Sequence, residues 1–541
     1  MTTYSVPSGG TIAIPSATNI RAVASAPGLT TSAETDASYT IASASGLPNL
    51  PLTFYSAINT PQATHFSTTS WLQMAAKYTY IEYNYWPGIE ASMTAGGPTT
   101  IPASMLYLKN YAAGLGNVNC KTGSYMIEQE RFQTNDQFTS LFNAMTTNNW
   151  WLYGNTGSFP GSFPGNVVTD SGYSGYCANQ SNVTPIASSP SWCAGYRFGD
   201  AAAINFFNII VNGTPGAVGQ TGACAANPYL DFCMHDNQFC LQRFGGQTAC
   251  NGVYFPGVEF TSSTDNSSAP YMQGFYAQVI NRWRTLAPSI LQGGNCDFIA
   301  FDKITNGFNI YQPATHGLYD FGFAENVFGA QNNPVSQYCV LSNLLQRMSD
   351  FSANLKSTNP QAFCILNSHG GPAPGVFWPY PQTQASWAAS WSATATQPAI
   401  GGNKTQTGQT YWQGARYIMG VAFLQGWVVE IDGTGTSPAN SAWGTYQPWF
   451  DEYVKGGANI YNWLGPAIDP PQLTPWSGNV YRRRFTNATI YLNPFGAGPI
   501  TLSGITGHNL TNGGFGDPNI NNGAAINGLT LQDADMRIVL P

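Results

Sequence analysis

Charge is what this 541-residue sequence has least of: Asp, Glu, Lys and Arg make up 8% of it, against about 25% in ordinary soluble proteins. Lys and Arg total 19 against 26 Asp and Glu, a net charge of -7. Without a basic field the chain cannot neutralise a phosphate backbone, and nucleic-acid binding is disfavoured. Long apolar runs are missing too. Nothing approaches the ~20 apolar residues of a membrane span. The longest candidate, YIMGVAFLQGWVVEI (417–431), carries Gln425 and two glycines, and reads as a buried helix running into a strand. The N-terminus, MTTYSVPSGG, has neither the basic region nor the apolar stretch of a secretory signal. No G-x-G-x-x-G or G-x-x-x-x-G-K-[ST] follows a strand candidate, so nucleotide-binding folds lose support. There is no G-x-S-x-G turn for a serine nucleophile, and no paired C-x₂₋₄-C for zinc. Neither a cofactor nor a metal is expected.

What remains is rich in aromatics (14%) and has a hydrophobic fraction of 43%, enough for a sizeable core, which excludes an intrinsically disordered chain. Solubility must come from Ser, Thr, Asn, Gln and 58 glycines. That surface suits an extracellular or virion-associated protein. Ten cysteines, at 120, 177, 193, 224, 233, 240, 250, 296, 339 and 364, are even in number and crowd 177–250. Structural thiols, or disulfides closing long loops, fit this spacing better than a metal site.

Three styles succeed one another along the chain. Residues 1–64 are rich in Ser, Thr, Gly, Ala and Pro, with hints of short strands, and read as an extended arm or an anchor. From 65 to 471 apolar-aromatic runs alternate with helical patterns. Strands are expected at 77–88, 123–132, 149–154, 228–239, 297–307, 318–329, 362–371 and 426–435, and helices at 271–287, 336–356 and 410–425. Eight such units predict a closed α/β architecture, the (β/α)₈ TIM barrel. A doubly wound open sheet is the competitor. From 472 to 541 strand-turn-strand alternation without helices predicts a small antiparallel β-sandwich.

Barrel chemistry sits at the C-terminal ends of strands, where loops converge. Asp236 follows the fourth expected strand directly and Glu325 ends the sixth; Asp302, Glu430 and Asp432 end others. Two carboxylates flanking a pocket are the minimum for cleaving a glycosidic bond: one protonates the leaving oxygen, the other attacks or activates water. Asp236 and Glu325 are therefore the catalytic candidates. Tyr83, Tyr85, Trp86 and Trp378 offer faces for sugar rings, and His369 and Glu430 offer groups for sugar hydroxyls. The competing reading makes strand-end acids solubilising or helix-capping groups, His235 and His369 structural, and Arg482-Arg483-Arg484 a charge-paired junction.

The run PYLDFCMHDNQF resembles the strand-then-Asp-Asn signature of barrel glycoside hydrolases related to the endo-α-1,4-polygalactosaminidase group. WFDEYVKGG, NWLGPAIDPP and NVYRRRFTNATIYLNP resemble the ending of those proteins, in which a Trp-Leu-Gly-Pro segment leads into an Arg-rich strand and a small β-domain. The resemblance spans roughly residues 70–541 and implies a catalytic role for Asp236 and for Glu325. His before Asp236 and the crowding cysteines depart from the pattern. Two functions are expected to compete: hydrolysis of a surface polysaccharide, or recognition of a glycan by a structural virion component, such as a phage tail or surface protein. The partners would be the polysaccharide and, in the second case, neighbouring virion or surface-assembly subunits.

Overall fold

The apolar runs pair in chain order into one eight-stranded parallel sheet. Its strands are β1 (Phe54–Ala57), β2 (Tyr80–Asn84), β3 (Lys121–Met126), β4 (Phe232–His235), β5 (Leu291–Asn295), β6 (Phe321–Ala324), β7 (Phe363–His369) and β8 (Val428–Asp432). β8 returns to β1 through a parallel Thr53–Val429 bridge and a 3.0 Å bond from Val429 N–H to Leu52 O. The sheet closes on itself as a (β/α)₈ barrel. This computed structural model describes residues 49–57, 66–84, 95–126, 227–235, 280–295, 319–324, 341–369, 409–432 and 449–541, apart from single positions within them. It also describes positions 93 and 327 and short pieces at 18–22, 35–39, 153–154, 169–170, 193–194, 253–255, 258–259 and 405–406.

In a closed sheet every second side chain points inward. Phe54, Tyr80, Phe232, Phe321 and Phe363 open their strands and do so, with ring centroids between 5.3 and 6.4 Å apart. This aromatic layer fills the end of the barrel at which the strands begin. Two glycines make room for it: a Cβ on Gly123 would lie 2.1 Å from the Phe232 ring, and one on Gly293 2.1 Å from the Phe321 ring.

Those glycines explain where the strand expectations need correction. β5, LQGGN at Leu291–Asn295, carries too little apolar alternation to stand out, and the strand expected at 297–307 lies outside the described residues. The run at 149–154 is not a barrel strand; Tyr153–Gly154 pairs in a separate three-stranded sheet with Val253–Phe255. The first barrel strand is Phe54–Ala57, inside the stretch expected to be an arm. The barrel thus begins before residue 65.

The helices follow the apolar periodicity. On α1 (Thr69–Ala75) Trp71, Leu72 and Ala75 are buried. On α2 (Ile101–Gly114) the buried positions are Ile101, Ser104, Met105, Leu108 and Ala112, a single face, and Thr100 Oγ1 caps Ala103 N–H at 3.3 Å. α3 (Leu341–Lys356) buries Leu341, Leu344, Leu345, Met348, Phe351 and Leu355. α4 (Tyr411–Gln425) is buried nearly all round, as a helix covered on both sides must be. Strand β8 lies on one side of it and the C-terminal β-domain on the other. Gly420 permits that contact, since a Cβ there would meet Leu492 Cδ1 at 2.3 Å.

The β-domain holds a three-stranded antiparallel sheet of β9 (Tyr481–Arg484), β10 (Thr489–Asn493) and β13 (Asp535–Val539), and a ribbon of β11 (Ile500–His508) and β12 (Ala525–Leu531). Val480, Tyr491, Leu502, Ile526, Leu529, Leu531 and Val539 form its core between them. Residues Met1–Pro48 form a separate unit containing an antiparallel pair, Thr18–Ala22 with Thr35–Tyr39. No helix among the described residues is long and apolar enough to cross a membrane. The expected disulfides are not found among the described residues: Cys120, Cys233 and Cys364 are buried, far from one another in the chain. Burial pushes the Cys120 and Cys364 thiols up to about 12.

Candidate active site

One step of alternation beyond Phe54 and Tyr80, and two beyond Phe363, polar side chains enter the barrel interior. Ser56 on β1, Glu82 on β2, Asn367 on β7 and Glu430 on β8 share the inward parity of Phe54, Tyr80 and Phe363, and are buried. Ser56 ties two carboxylates together: its Oγ donates to Glu82 Oε2 at 2.6 Å and its N–H to Glu430 Oε1 at 2.9 Å. Asn367 Nδ2 donates to the other oxygen of Glu430 at 2.6 Å. Both Glu430 oxygens thus accept from nitrogen donors, one a backbone N–H and the other a side-chain amide. Tyr453, from the turn after the barrel, has its phenol pushed well above the ordinary range by burial, then by Glu452 and Glu430.

The opposite end of the barrel treats its acids differently. Asp231 immediately precedes β4 and accepts from Thr122 N–H at 2.8 Å, with Lys109 Nζ at 2.6 Å. Asp320 immediately precedes β6 and accepts from Gln292 N–H at 2.8 Å, with Arg284 Nη2 at 3.1 Å and Asn359 Nδ2 at 3.0 Å. Each acid pins the neighbouring strand's backbone and is neutralised by a basic side chain.

Of the expected site residues, Glu430 lies in the interior polar layer. Tyr83 does not. It has the outward parity on β2, is fully buried, donates or accepts a 3.0 Å bond with Ser104 Oγ on α2, and packs on Phe66 at 4.3 Å. It is a strand–helix packing residue and not a sugar platform. His235 likewise faces outward from β4, with Nε2 2.7 Å from Gln292 Oε1. Asp236, Glu325, Tyr85, Trp86 and Trp378 lie outside the described residues, as does the side chain of His369, the last residue of β7. Among the described residues no cluster of His, Cys, Asp or Glu is arranged to hold a metal ion.

Ser56, Glu82 and Asn367 escaped sequence reasoning as site residues. Glu82 left a signal: in YTYIEYNY it follows Tyr78 and Tyr80 on one alternating face, a charged residue after two aromatic ones.

No protein-family model matches the chain, and no curated protein sequence matches it. Similar solved structures are glycoside hydrolases. The glycoside hydrolase domain of PelA from Pseudomonas aeruginosa is 10% identical, with 60% of this chain and 85% of that one covered and a TM-score of 0.30. Amy13B of Eubacterium rectale is 8% identical, with 91% and 97% covered and a TM-score of 0.47. An α-amylase from Lactobacillus plantarum is 8% identical, with 90% and 98% covered and a TM-score of 0.42. The barrel assignment for this chain rests on its strand register and closure.

Proposed function

We propose that the protein is a glycoside hydrolase of a surface polysaccharide, acting at the barrel mouth with Asp236 and Glu325 as its catalytic pair. The observation that carries this reading is the pair of inward-facing carboxylates, Glu82 and Glu430, tied through Ser56 and Asn367 inside the barrel beyond the aromatic rings. Carboxylates fixed on the barrel wall suit the hydroxyls of a bound sugar. Their place in the sequence supports the pair: Asp236 immediately follows β4 and Glu325 immediately follows β6. One carboxyl gives its proton to the glycosidic oxygen as the bond from the anomeric carbon breaks. The other attacks that carbon, or takes a proton from the water that does. Glu430 and Glu82 would hold hydroxyls of the bound sugar. The resemblance to the endo-α-1,4-polygalactosaminidase group names the first substrate to try, α-1,4-linked polygalactosamine. Action on a surface polysaccharide implies an extracellular or virion-associated site of work.

The test is reducing-end release from that polymer and from a panel of bacterial and algal polysaccharides. Asp236→Asn and Glu325→Gln should each lower release by about a hundredfold or more. Equal release by the wild type and both variants removes the pair. Binding of a glycan without release by any of the three proteins replaces hydrolysis with recognition.

A further inference from the structure

A second group of buried acids joins the barrel to the β-domain. The turn Asp451–Tyr453 supplies two of them. Asp451 accepts from Gly513 N–H at 2.8 Å and Phe515 N–H at 3.1 Å, and so grips the 510–523 loop of the β-domain. Glu452 is buried beside it and accepts from Asn521 Nδ2, on the same loop, at 3.1 Å. Asp517 on that loop and Asp535 on β13 complete the group.

The cations nearby make their direct contacts with other groups. Arg416 comes in from α4, fully enclosed, and its Nε and Nη2 both lie 2.9 Å from Asp535 Oδ1, with Nη1 3.4 Å from Asp517 Oδ2. Arg537 on β13 donates from Nη2 to Asn509 Oδ1 at 2.8 Å. Lys77 lies over the rings of Trp449 and Phe515. Tyr453 faces Glu452 from its own turn and feels Glu430 as well. Four carboxylates therefore share two guanidinium groups, and the hydrogen bond on the Glu452 side chain comes from a neutral amide. An ionised Glu452 would be a desolvated charge beside Asp451, with Arg416 offsetting part of that cost.

We propose that Glu452 is a proton-operated clasp, holding the 510–523 loop to the barrel when protonated and loosening it when ionised. Its carboxyl is pushed up to about 7, chiefly by burial and further by Asp451, with Arg416 and Asn521 pulling the other way. A carboxyl raised in the folded state contributes stability that is fully present below its ordinary value near 4.5 and is lost as pH rises through about 7. The clasp is therefore tight in acid and loose above neutrality.

Hydrogen exchange on the full chain reads this directly. Protection factors of the Gly513 and Phe515 amides, corrected for intrinsic exchange, should fall by about tenfold or more between about pH 5 and about pH 9. In Glu452→Gln, which keeps an acceptor for Asn521, they should stay level across that range. Asn521→Ala removes a bond that favours the ionised form, so its transition should move to higher pH; this variant serves if Glu452→Gln does not fold. Parallel profiles in the wild type and Glu452→Gln, or an unmoved transition in Asn521→Ala, overturn the clasp.

Discussion

The two ends of the barrel hold their carboxylates in opposite ways. Where the strands begin, Asp231 and Asp320 are bound by Lys109 and Arg284 and pin backbone N–H groups of the preceding strand. Beyond the aromatic rings, Glu82 and Glu430 are bound by a hydroxyl, a backbone N–H and an amide. An ion pair that also clamps a backbone has its charge consumed by the fold. A carboxylate inside the barrel, held by a hydroxyl, a backbone N–H and an amide of neighbouring strands, has its geometry set by the barrel wall, as a ligand-binding group needs. An acid's partners therefore tell more about its role than its position at a strand end.

The sharpest way to break this contrast is to remove one acid from each end. Asp320→Ala leaves Gln292 N–H, Arg284 and Asn359 without their acceptor, and should cost about 2–3 kcal/mol in urea unfolding. Turnover per folded molecule should not change. Glu430→Gln should do the reverse. It replaces one acceptor oxygen by a donor facing Ser56 N–H or Asn367, a loss of about 1 kcal/mol of stability. If Glu430 holds a sugar hydroxyl, kcat/KM on whichever polysaccharide is cleaved should fall by about tenfold. Loss of turnover in Asp320→Ala with normal stability would erase the distinction between the two ends.

Much of the fold was legible because barrel strands end in polar residues and Gly or Pro, and because α3 and α4 carry long apolar periodicities. One miss has a clear cause. A barrel filled by large rings on some strands needs glycine on their neighbours, so LQGGN lacks the alternation that betrays a strand, and an inward position on it is Gly293. By contrast, NWWLYG at 149–154 has the aromatic content of a strand, and its described residues, Tyr153–Gly154, pair outside the barrel. The site was less legible. Tyr83 and Glu82 are adjacent in sequence and equally buried, yet parity sends one to α2 and the other to the barrel interior. A one-residue error in register exchanges packing for chemistry. Ser56 lies on a four-residue strand within Ser- and Pro-rich sequence, and nothing in its local pattern announces that it bridges residues 82 and 430.

The three consecutive arginines extend the same lesson to the β-domain, where one residue type meets three environments. Arg482 stacks on Trp476, its Cζ 4.3 Å from the ring centroid. Arg483 turns inward, and its Nη1 donates to Phe423 O at 2.7 Å and Leu424 O at 3.1 Å, closing the carbonyl end of α4; burial lowers its pKa to about 10. Arg484 makes the most complete ion pair of the three, with Nη2 2.7 Å from Asp469 Oδ1 and Nε bonded to both carboxylate oxygens, yet it is exposed. The expected charge-paired junction is thus real at Arg484, and that is where it matters least. Solvent screens an exposed pair and side-chain entropy offsets what remains. Arg484→Ala should leave the urea midpoint within error of the wild type, the smallest effect expected here. Asp469 also accepts from Arg484 N–H at 2.8 Å, a bond the substitution keeps, so the variant isolates the ionic part. A lowered midpoint in Arg484→Ala that salt also abolishes in the wild type would show that exposed charge, scarce as it is in this chain, carries stability after all.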